Sequence, residues 1–132
     1  MDVDMSNNVV QQWTFHGGTN QQWKLVYNSS DGCYSIIPMV TPSYFLDVDN
    51  AWDDNGTKIK IFQNTAHDAQ RFRIIDSGTV GGAQTFKIQP KISATRVVDV
   101  YGMGTHDGAN IHLWDYLNEN NPKGTFACHI YR

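Results

Sequence analysis

The sequence predicts an all-β fold made of three copies of one unit. In each copy a short apolar run ends in an aromatic residue, and a loop then leads to a second aromatic residue: Val10–Trp13 to Trp23, Ile59–Phe62 to Phe72, and Ile111–Trp114 to Phe126. The interval between the two aromatic residues is ten positions in the first two copies and twelve in the third. No segment sustains the 3.6-residue periodicity of an amphipathic helix, and short strand-like runs alternate with turn residues. Such self-similarity indicates a repeat architecture.

We predict the strands in chain order from these runs. In the first unit, Asp2–Asp4 opens the chain and a glycine turn at Gly17–Gly18 joins Val10–Trp13 to Trp23–Tyr27 as a hairpin. The second unit is predicted to have four strands, at Cys33–Ile37, Tyr44–Val48, Lys58–Phe62 and Gln70–Ile75. The third unit repeats them at Thr85–Ile88, Arg96–Val100, Ile111–Trp114 and Phe126–Tyr131. Turns are expected at 28–32 and 77–82, where polar residues and glycines cluster.

An apolar-Asp-Val motif sets the register of the three units, at Met1–Val3, Leu46–Val48 and Val98–Val100. The second and third units each begin with a strand before this motif, near Cys33 and Thr85. The first unit has no counterpart of that strand. We therefore expect a single domain over residues 1–132, with repeats at about 1–30, 31–78 and 79–132 and with the first strand of the first repeat missing.

Composition and charge argue against binding to nucleic acid and against insertion into a membrane. The formal charge is −3 and the ten basic residues are scattered, whereas a nucleic-acid surface needs clustered Lys and Arg. No apolar run approaches the roughly 18–20 residues of a membrane span, so membrane insertion is not expected. No signal peptide is recognisable, and if the protein is secreted or extracellular, as we expect, its leader lies outside this chain.

The sequence suggests neither a metal nor a cofactor. The five histidines lack metal-ligand spacing, and Asp53–Gly56 fails as a calcium loop because the first ligand would fall on Ala51. We expect no catalytic residues, because no nucleophile or phosphate-loop motif is present. Cys33 and Cys128 are interpreted as buried free thiols, with a disulfide as the alternative.

These motifs resemble the ricin-type β-trefoil lectin family, which is also carbohydrate-binding module family 13. The resemblance rests on the three apolar-Asp-Val motifs, the strands that end in an aromatic residue, and Gln-x-aromatic at Gln21 and Gln70. Gly124 replaces the third Gln, and Phe72 and Phe126 replace Trp. The usual cysteines of each repeat are absent, as is the first strand. The resemblance implies a β-trefoil, in which six strands form a short barrel and six form hairpins that cap one end.

In such a fold Trp23, Phe72 and Phe126 are expected to be core residues. Gln21 and Gln70 are expected to bond loop backbone groups that burial would otherwise leave unpaired. In the absence of the first strand, the strands near Trp23–Tyr27 and Phe126–Tyr131 would present unpaired edges. We expect the gap to be filled by self-association, by a rearranged N-terminus or by another part of a longer protein.

Sugar recognition needs a flat apolar face and fixed polar groups, which aromatic rings and carboxylates supply. The resemblance places one such pair in each repeat: Asp2 with Trp13, Asp47 with Phe62, and Asp99 with Trp114. It adds four polar residues to the first site, namely Gln11, His16, Asn20 and Gln21, and it adds His112 and Asn121 to the third. The second site has Ala69 and Lys60 where the first has amides, so we expect it to be the weakest.

The predicted function is non-catalytic binding of glycans or polysaccharides at up to three shallow sites, with galactose-type or related neutral sugars favoured. Weak single sites would gain from acting together. The alternative is a trefoil used for protein–protein contact, in which the acids only cap turns, the aromatic residues only pack and the sugar pockets are vestigial.

Overall fold

The computed structural model describes residues 1–116 and 125–127, and this part of the chain is all β, with no α-helix. Its strands are β1 (Asp2–Asp4), β2 (Val9–Gln11), β3 (Trp23–Asn28), β4 (Cys33–Pro38), β5 (Tyr44–Val48), β6 (Ile59–Gln63), β7 (Phe72–Val80), β8 (Ala83–Pro90), β9 (Arg96–Val100), β10 (Ile111–Asp115) and β11 (Thr125–Ala127). Short 3-10 turns occur at Thr19–Gln21, Asp49–Ala51, Asp68–Gln70 and Tyr101–Met103. A search of these residues finds no helix with the length and apolar character to cross a membrane.

The strands form a barrel layer and a cap. Five of them form one antiparallel sheet in the order β11-β8-β7-β4-β3. The pairs β1–β2, β5–β6 and β9–β10 are antiparallel hairpins. Backbone bridges join the hairpins to one another, at Val9–Lys60, Gln11–Asn110 and Lys58–His112. This is the predicted β-trefoil arrangement, with one barrel strand fewer than six in the described part.

A ring of backbone hydrogen bonds fixes the threefold arrangement. In each hairpin one amide donates to a loop carbonyl of the preceding repeat: Gln12 N to Ala109 O (2.8 Å), Ile61 N to Asn8 O (2.9 Å), and Leu113 N to Thr57 O (2.9 Å). The three donors occupy equivalent positions, each one residue before the aromatic of its repeat. Each hairpin is therefore held in place by the repeat before it.

The core contains equivalent residues from all three repeats. Val10, Ile59 and Ile111 each precede by three positions the aromatic of their repeat, and all three are at most 1% exposed. Burying one such aliphatic side chain stabilises the fold by about 1.5–3 kcal/mol. Trp23 and Phe72 are also buried, as predicted. The predicted core position of Phe126 concerns a side chain outside the described part.

Two predictions about strands are wrong. β2 and β3 do not form a hairpin, because β2 pairs with β1 and β6 while β3 pairs with β4. The chain after Gly17 enters the 3-10 turn Thr19–Gln21 instead, which separates the capping layer from the barrel. The turn predicted at 77–82 is also too long, since β7 continues to Val80 through an irregularity between Asp76 and Thr79. Gly81 and Gly82, both with positive φ, form the two-residue turn.

Candidate functional site

The three predicted acids occupy equivalent positions in their hairpins. Each acid pairs across its hairpin with the residue two positions before the predicted stacking aromatic: Asp2 with Gln11, Asp47 with Lys60, and Asp99 with His112. All three acids are buried. The structure therefore places each carboxylate on the hairpin that leads to Trp13, Phe62 or Trp114.

In the first repeat the Asp2 carboxylate is held by three side-chain amides. Gln11 Nε2 donates to Oδ1 (3.0 Å), while Asn20 Nδ2 (3.0 Å) and Gln21 Nε2 (2.9 Å) donate to Oδ2. His16 Nε2 lies 3.6 Å from Oδ2. A carboxylate has about four lone-pair sites, so Asp2 can accept a further hydroxyl proton. The group is fixed in orientation and still able to bind a ligand.

An open cleft of about 350 Å³, here called cleft 1, lies over this carboxylate. Four of the predicted site residues line it besides Asp2, namely Gln11, Trp13, His16 and Asn20, and Val3, Asp4 and Met5 complete the lining. The Trp13 side chain is 46% exposed, so much of its ring can be covered by a ligand. Cleft 1 thus combines an apolar ring with a fixed acceptor.

Gln21 has a different position from the other predicted residues. It is buried and is not part of the cleft lining. Its Nε2 also donates to Thr14 O (2.9 Å), and its Oε1 accepts from His16 N (2.8 Å). Gln21 therefore ties the loop backbone, as predicted, and in addition orients Asp2 from behind.

The third repeat supports the first cleft. Asp107 accepts hydrogen bonds from both the backbone N–H and the hydroxyl of Thr14, the residue after Trp13. Gly108 lies beside the Trp13 ring, since a Cβ at that glycine would be 3.8 Å from the ring. These contacts join residues more than ninety positions apart in sequence, and no local pattern signals them.

Gly18 provides the space in which two cleft residues meet. A Cβ at this position would lie 2.6 Å from the His16 ring and 2.8 Å from Asn20 Oδ1. Its φ is −68°, which other residues also adopt, and His67 occupies the equivalent position in the second repeat with φ −77°. Glycine at position 18 therefore leaves room for these two side chains, whereas the backbone conformation there does not demand it.

A second open cleft of about 370 Å³, cleft 2, lies over Asp47. Lys60, Phe62, Thr65, His67 and Ala69 are among its lining residues. Phe62 is 41% exposed, close to the value of Trp13. The two clefts are similar in size, so they differ mainly in their polar groups.

Asp47 has fewer donors than Asp2. Gln70 Nε2 donates to its Oδ2 (2.8 Å), and this is the one side chain with a hydrogen bond to Asp47 in the described residues. Lys60, which replaces the first repeat's Gln11, instead pairs with Asp49 (2.8 Å) and lies over the Phe62 ring (4.7 Å). Burial raises the pKa of Asp47, and the Gln70 hydrogen bond opposes that shift.

The third repeat has a different internal geometry. His112 Nε2 lies 3.2 Å from Asp99 Oδ2, and its ring stacks on Trp114 with 5.3 Å between centroids. Asp99 and His112 are only 2% and 5% exposed. The imidazole therefore bonds the carboxylate and stacks on the indole. Asn121, predicted for this site, lies outside the described residues.

Sequence reasoning missed part of both linings. Asp4, the last residue of β1, and Met5 border cleft 1, and Asn50 and Ala51 in the 3-10 turn after β5 border cleft 2. Their positions just beyond the Asp-Val motif in both repeats were a usable signal. His67 was missed because it is not equivalent to His16; its Nδ1 accepts from Ala69 N (3.0 Å).

The described residues contain no group of His, Cys, Asp or Glu that could hold a metal. Cys33 is a buried free thiol, and burial raises its pKa. Cys128, the other residue of the predicted pair, lies beyond the described part.

Comparisons with known proteins bear on the fold and on the family. Residues 1–62 match the family model of ricin-type beta-trefoil lectin domain-like proteins. No curated protein sequence matches the chain.

Solved structures extend the agreement to the whole fold. The designed threefold-symmetric protein ThreeFoil superposes with a TM-score of 0.78 at 26% identity, over 94% of this chain and 85% of that one. An exo-beta-1,3-galactanase from Clostridium thermocellum gives 0.68 at 24% identity, over 81% of this chain but only 22% of the enzyme. The Rhizoctonia solani agglutinin gives 0.69 at 13% identity, over 90% and 77%.

The predicted fold and the resemblance on which it rests are thus confirmed. The chain is a β-trefoil, and its first 62 residues match the ricin-type lectin-like family.

Proposed function

We propose that this protein binds carbohydrate without catalysis and that cleft 1 is its main site. The observation that carries the proposal is the Asp2 carboxylate, fixed by three amides beside the half-exposed Trp13. Such a pair offers a stacking face for the C–H side of a pyranose and a charged acceptor for a neighbouring hydroxyl. Lectin-type trefoils use open, shallow sites, and cleft 1 has that form. The family match over residues 1–62 and the agglutinin's fold support carbohydrate binding in general.

Galactose-type or related neutral sugars are the ligands we favour. The described part of cleft 1 has no Lys or Arg in its lining, so no fixed cation there would attract an anionic sugar. The galactanase whose fold is similar acts on a galactose polymer, and this is a further reason to begin with galactosides. Cleft 2 offers the same ring-and-acid pair and would act as a second, weaker site.

The direct test is a glycan array followed by calorimetric titration with galactose, lactose and xylose. We expect binding in the weak range of a single shallow site and its loss in Trp13→Ala. Trp52→Ala is the matched control, because the Trp52 indole is similarly exposed, at 59%, and lines neither cleft. Equal affinities for the two variants, or no array signal at all, would contradict the proposal.

The third repeat favours a second candidate function, protein–protein contact with vestigial sugar pockets. Its acid is buried and bonded to His112, which already covers one face of Trp114. This candidate predicts that a protein partner still binds when Asp99 and Trp114 are both replaced by Ala. Sugar binding that survives in this double variant and disappears in Trp13→Ala would support cleft 1 instead.

A further inference from the structure

In the described linings, cleft 2 has a lysine and cleft 1 has none. Lys60 stands in β6 where β2 has Gln11, two positions before the aromatic residue of the repeat. The Gln11 amide bonds the Asp2 carboxylate (3.0 Å). The Lys60 ammonium instead bonds Asp49 Oδ1 (2.8 Å) and lies 4.7 Å from the centroid of the Phe62 ring. The same strand position therefore holds the acid in one cleft and covers the aromatic ring in the other.

This ammonium occupies a surface that a neutral sugar needs for stacking. Lys60 and Phe62 are two positions apart on one strand, so their side chains lie on the same face of the hairpin. Asp47 pairs with Lys60 across that hairpin, so the lysine adjoins both groups that a sugar would contact. A pyranose that stacks on Phe62 from the cleft must displace the ammonium from a favourable cation–π contact. A neutral sugar has no charge with which to compensate that loss.

The Lys60 ammonium can itself bind a ligand. An ammonium has three N–H donors, and Asp49 takes one of them. The lysine side chain is partly exposed, so its other donors can reach a ligand in the cleft. His67, also in the lining, adds a neutral donor, because its Nδ1 accepts from Ala69 N (3.0 Å) and the ring proton then lies on Nε2. Cleft 2 therefore presents donors, one of them charged, beside its aromatic ring.

We propose that cleft 2 binds acidic pyranoses, meaning sugars that carry a carboxylate or a sulfate ester, and that Lys60 determines this specificity. The anionic group of the ligand draws the ammonium off the Phe62 ring, and the ring then stacks on the C–H face of the sugar. Gln70 is the one side chain that bonds Asp47 in the described residues, so this carboxylate keeps lone pairs for a sugar hydroxyl. The inference rests on the proposed carbohydrate binding and assigns the two clefts different classes of sugar.

Calorimetric titration at pH 7 of the Trp13→Ala variant, in which cleft 1 is disabled, tests this specificity. The ligands are galacturonic acid, its neutral methyl ester, galactose 6-sulfate and galactose. We expect at least one acidic sugar to bind about fivefold or more tightly than galactose, and the methyl ester to bind no better than galactose. Binding of both acidic sugars would show that charge alone is recognised, and binding of only one would identify the anionic group. Phe62→Ala in the same background should abolish this binding.

Three variants isolate the role of the lysine. Lys60→Gln, which restores the amide of β2, should lose the preference for acidic sugars and gain affinity for galactose. Lys24→Gln removes the same charge from an exposed residue that lines neither cleft, and it should leave all affinities unchanged. Asp49→Asn removes the carboxylate that competes for the ammonium, so it should strengthen the binding of acidic sugars.

Proton NMR reports the position of the ammonium directly. The ring current of Phe62 should shift the Lys60 ε-methylene protons upfield in the free protein, and an acidic sugar should reverse that shift. Equal or tighter binding of galactose, or a preference for acidic sugars that survives in Lys60→Gln, would overturn the proposal. Galactose binding by the parent protein without acidic-sugar binding by Trp13→Ala would overturn this specificity alone, whereas no sugar binding by either protein would overturn the proposed function.

Discussion

Asp2→Asn isolates the charge of the cleft 1 carboxylate with little change in shape. Of the three amides on Asp2, those of Asn20 and Gln21 converge on Oδ2 and that of Gln11 lies on Oδ1. An asparagine can keep its oxygen at the Oδ2 position, but its NH₂ group then faces the Gln11 donor. One hydrogen bond to a charged group is lost, at about 1.5–3 kcal/mol, and two others become neutral. We expect the free energy of unfolding to fall by about 2–4 kcal/mol.

Urea unfolding at pH 7 measures this change as a shift in midpoint with an unchanged m-value. Asp54→Asn is the control, because it removes the same charge from an exposed loop residue, and it should change stability by less than about 0.5 kcal/mol. Sugar affinity at cleft 1 should fall at least tenfold. A stability loss for Asp2→Asn no larger than that of the control would refute the view that three amides hold this carboxylate.

Three further predictions concern Asp47 and Gln70 at cleft 2 and Gly18 at cleft 1. Burial raises the pKa of Asp47 above its ordinary value of 3.8, so the folded state binds this proton more readily than the unfolded chain does. The contribution of Asp47 to stability therefore falls as pH rises from the pKa of the unfolded chain through the higher pKa of the folded state. Asp47→Asn should therefore cost less than about 1 kcal/mol at pH 7, and it should remove this pH dependence from urea midpoints collected between pH 3 and 7. Gln70→Ala should cost about 2–4 kcal/mol in the same assay, because it leaves a buried carboxylate, a backbone N–H and a carbonyl without their partner; a loss below about 1 kcal/mol would contradict that role. Gly18→Ala should weaken sugar binding several-fold and cost about 1.5–3 kcal/mol in the urea assay, because its Cβ displaces His16 and also Asn20, whose amide holds Asp2; unchanged calorimetric affinity would show that those side chains do not contact the ligand.

The repeated motifs predict the fold well because they report local constraints that recur in each unit. Asp47 and Phe62 fall on a hairpin as expected, and Trp23 and Phe72 are buried as expected. A large aromatic side chain that recurs at one register position of a sheet protein is expected to lie in the core. The same reasoning gave β5 and β9 their observed bounds.

The sequence alone could not predict pairing between distant segments. Glycines at 17 and 18 suggested a hairpin, but a turn residue permits a reversal without choosing the partner strand. The contact of Asp107 with Thr14 depends on closure of the threefold ring, which appears only when all repeats are folded.

The repeated motif also could not predict the side-chain contacts within the sites. The pattern places Asp99 and Trp114 in one repeat, yet it does not reveal that His112 bonds the first and stacks on the second. Likewise, the sequence shows that Lys60 stands where the first repeat has an amide, but it does not show that Lys60 pairs with Asp49. These outcomes depend on competition among nearby partners.

The most direct test of the central claim, that a fixed carboxylate beside an exposed indole binds sugar, is the indole N–H spectrum of protein labelled with ¹⁵N at its four tryptophans. Titration with galactose or lactose should shift the Trp13 signal, leave the buried Trp23 signal in place, and produce no Trp13 shift in Asp2→Asn. A Trp13 signal that stays unchanged with galactose, lactose, xylose and every glycan positive on the array would contradict the account.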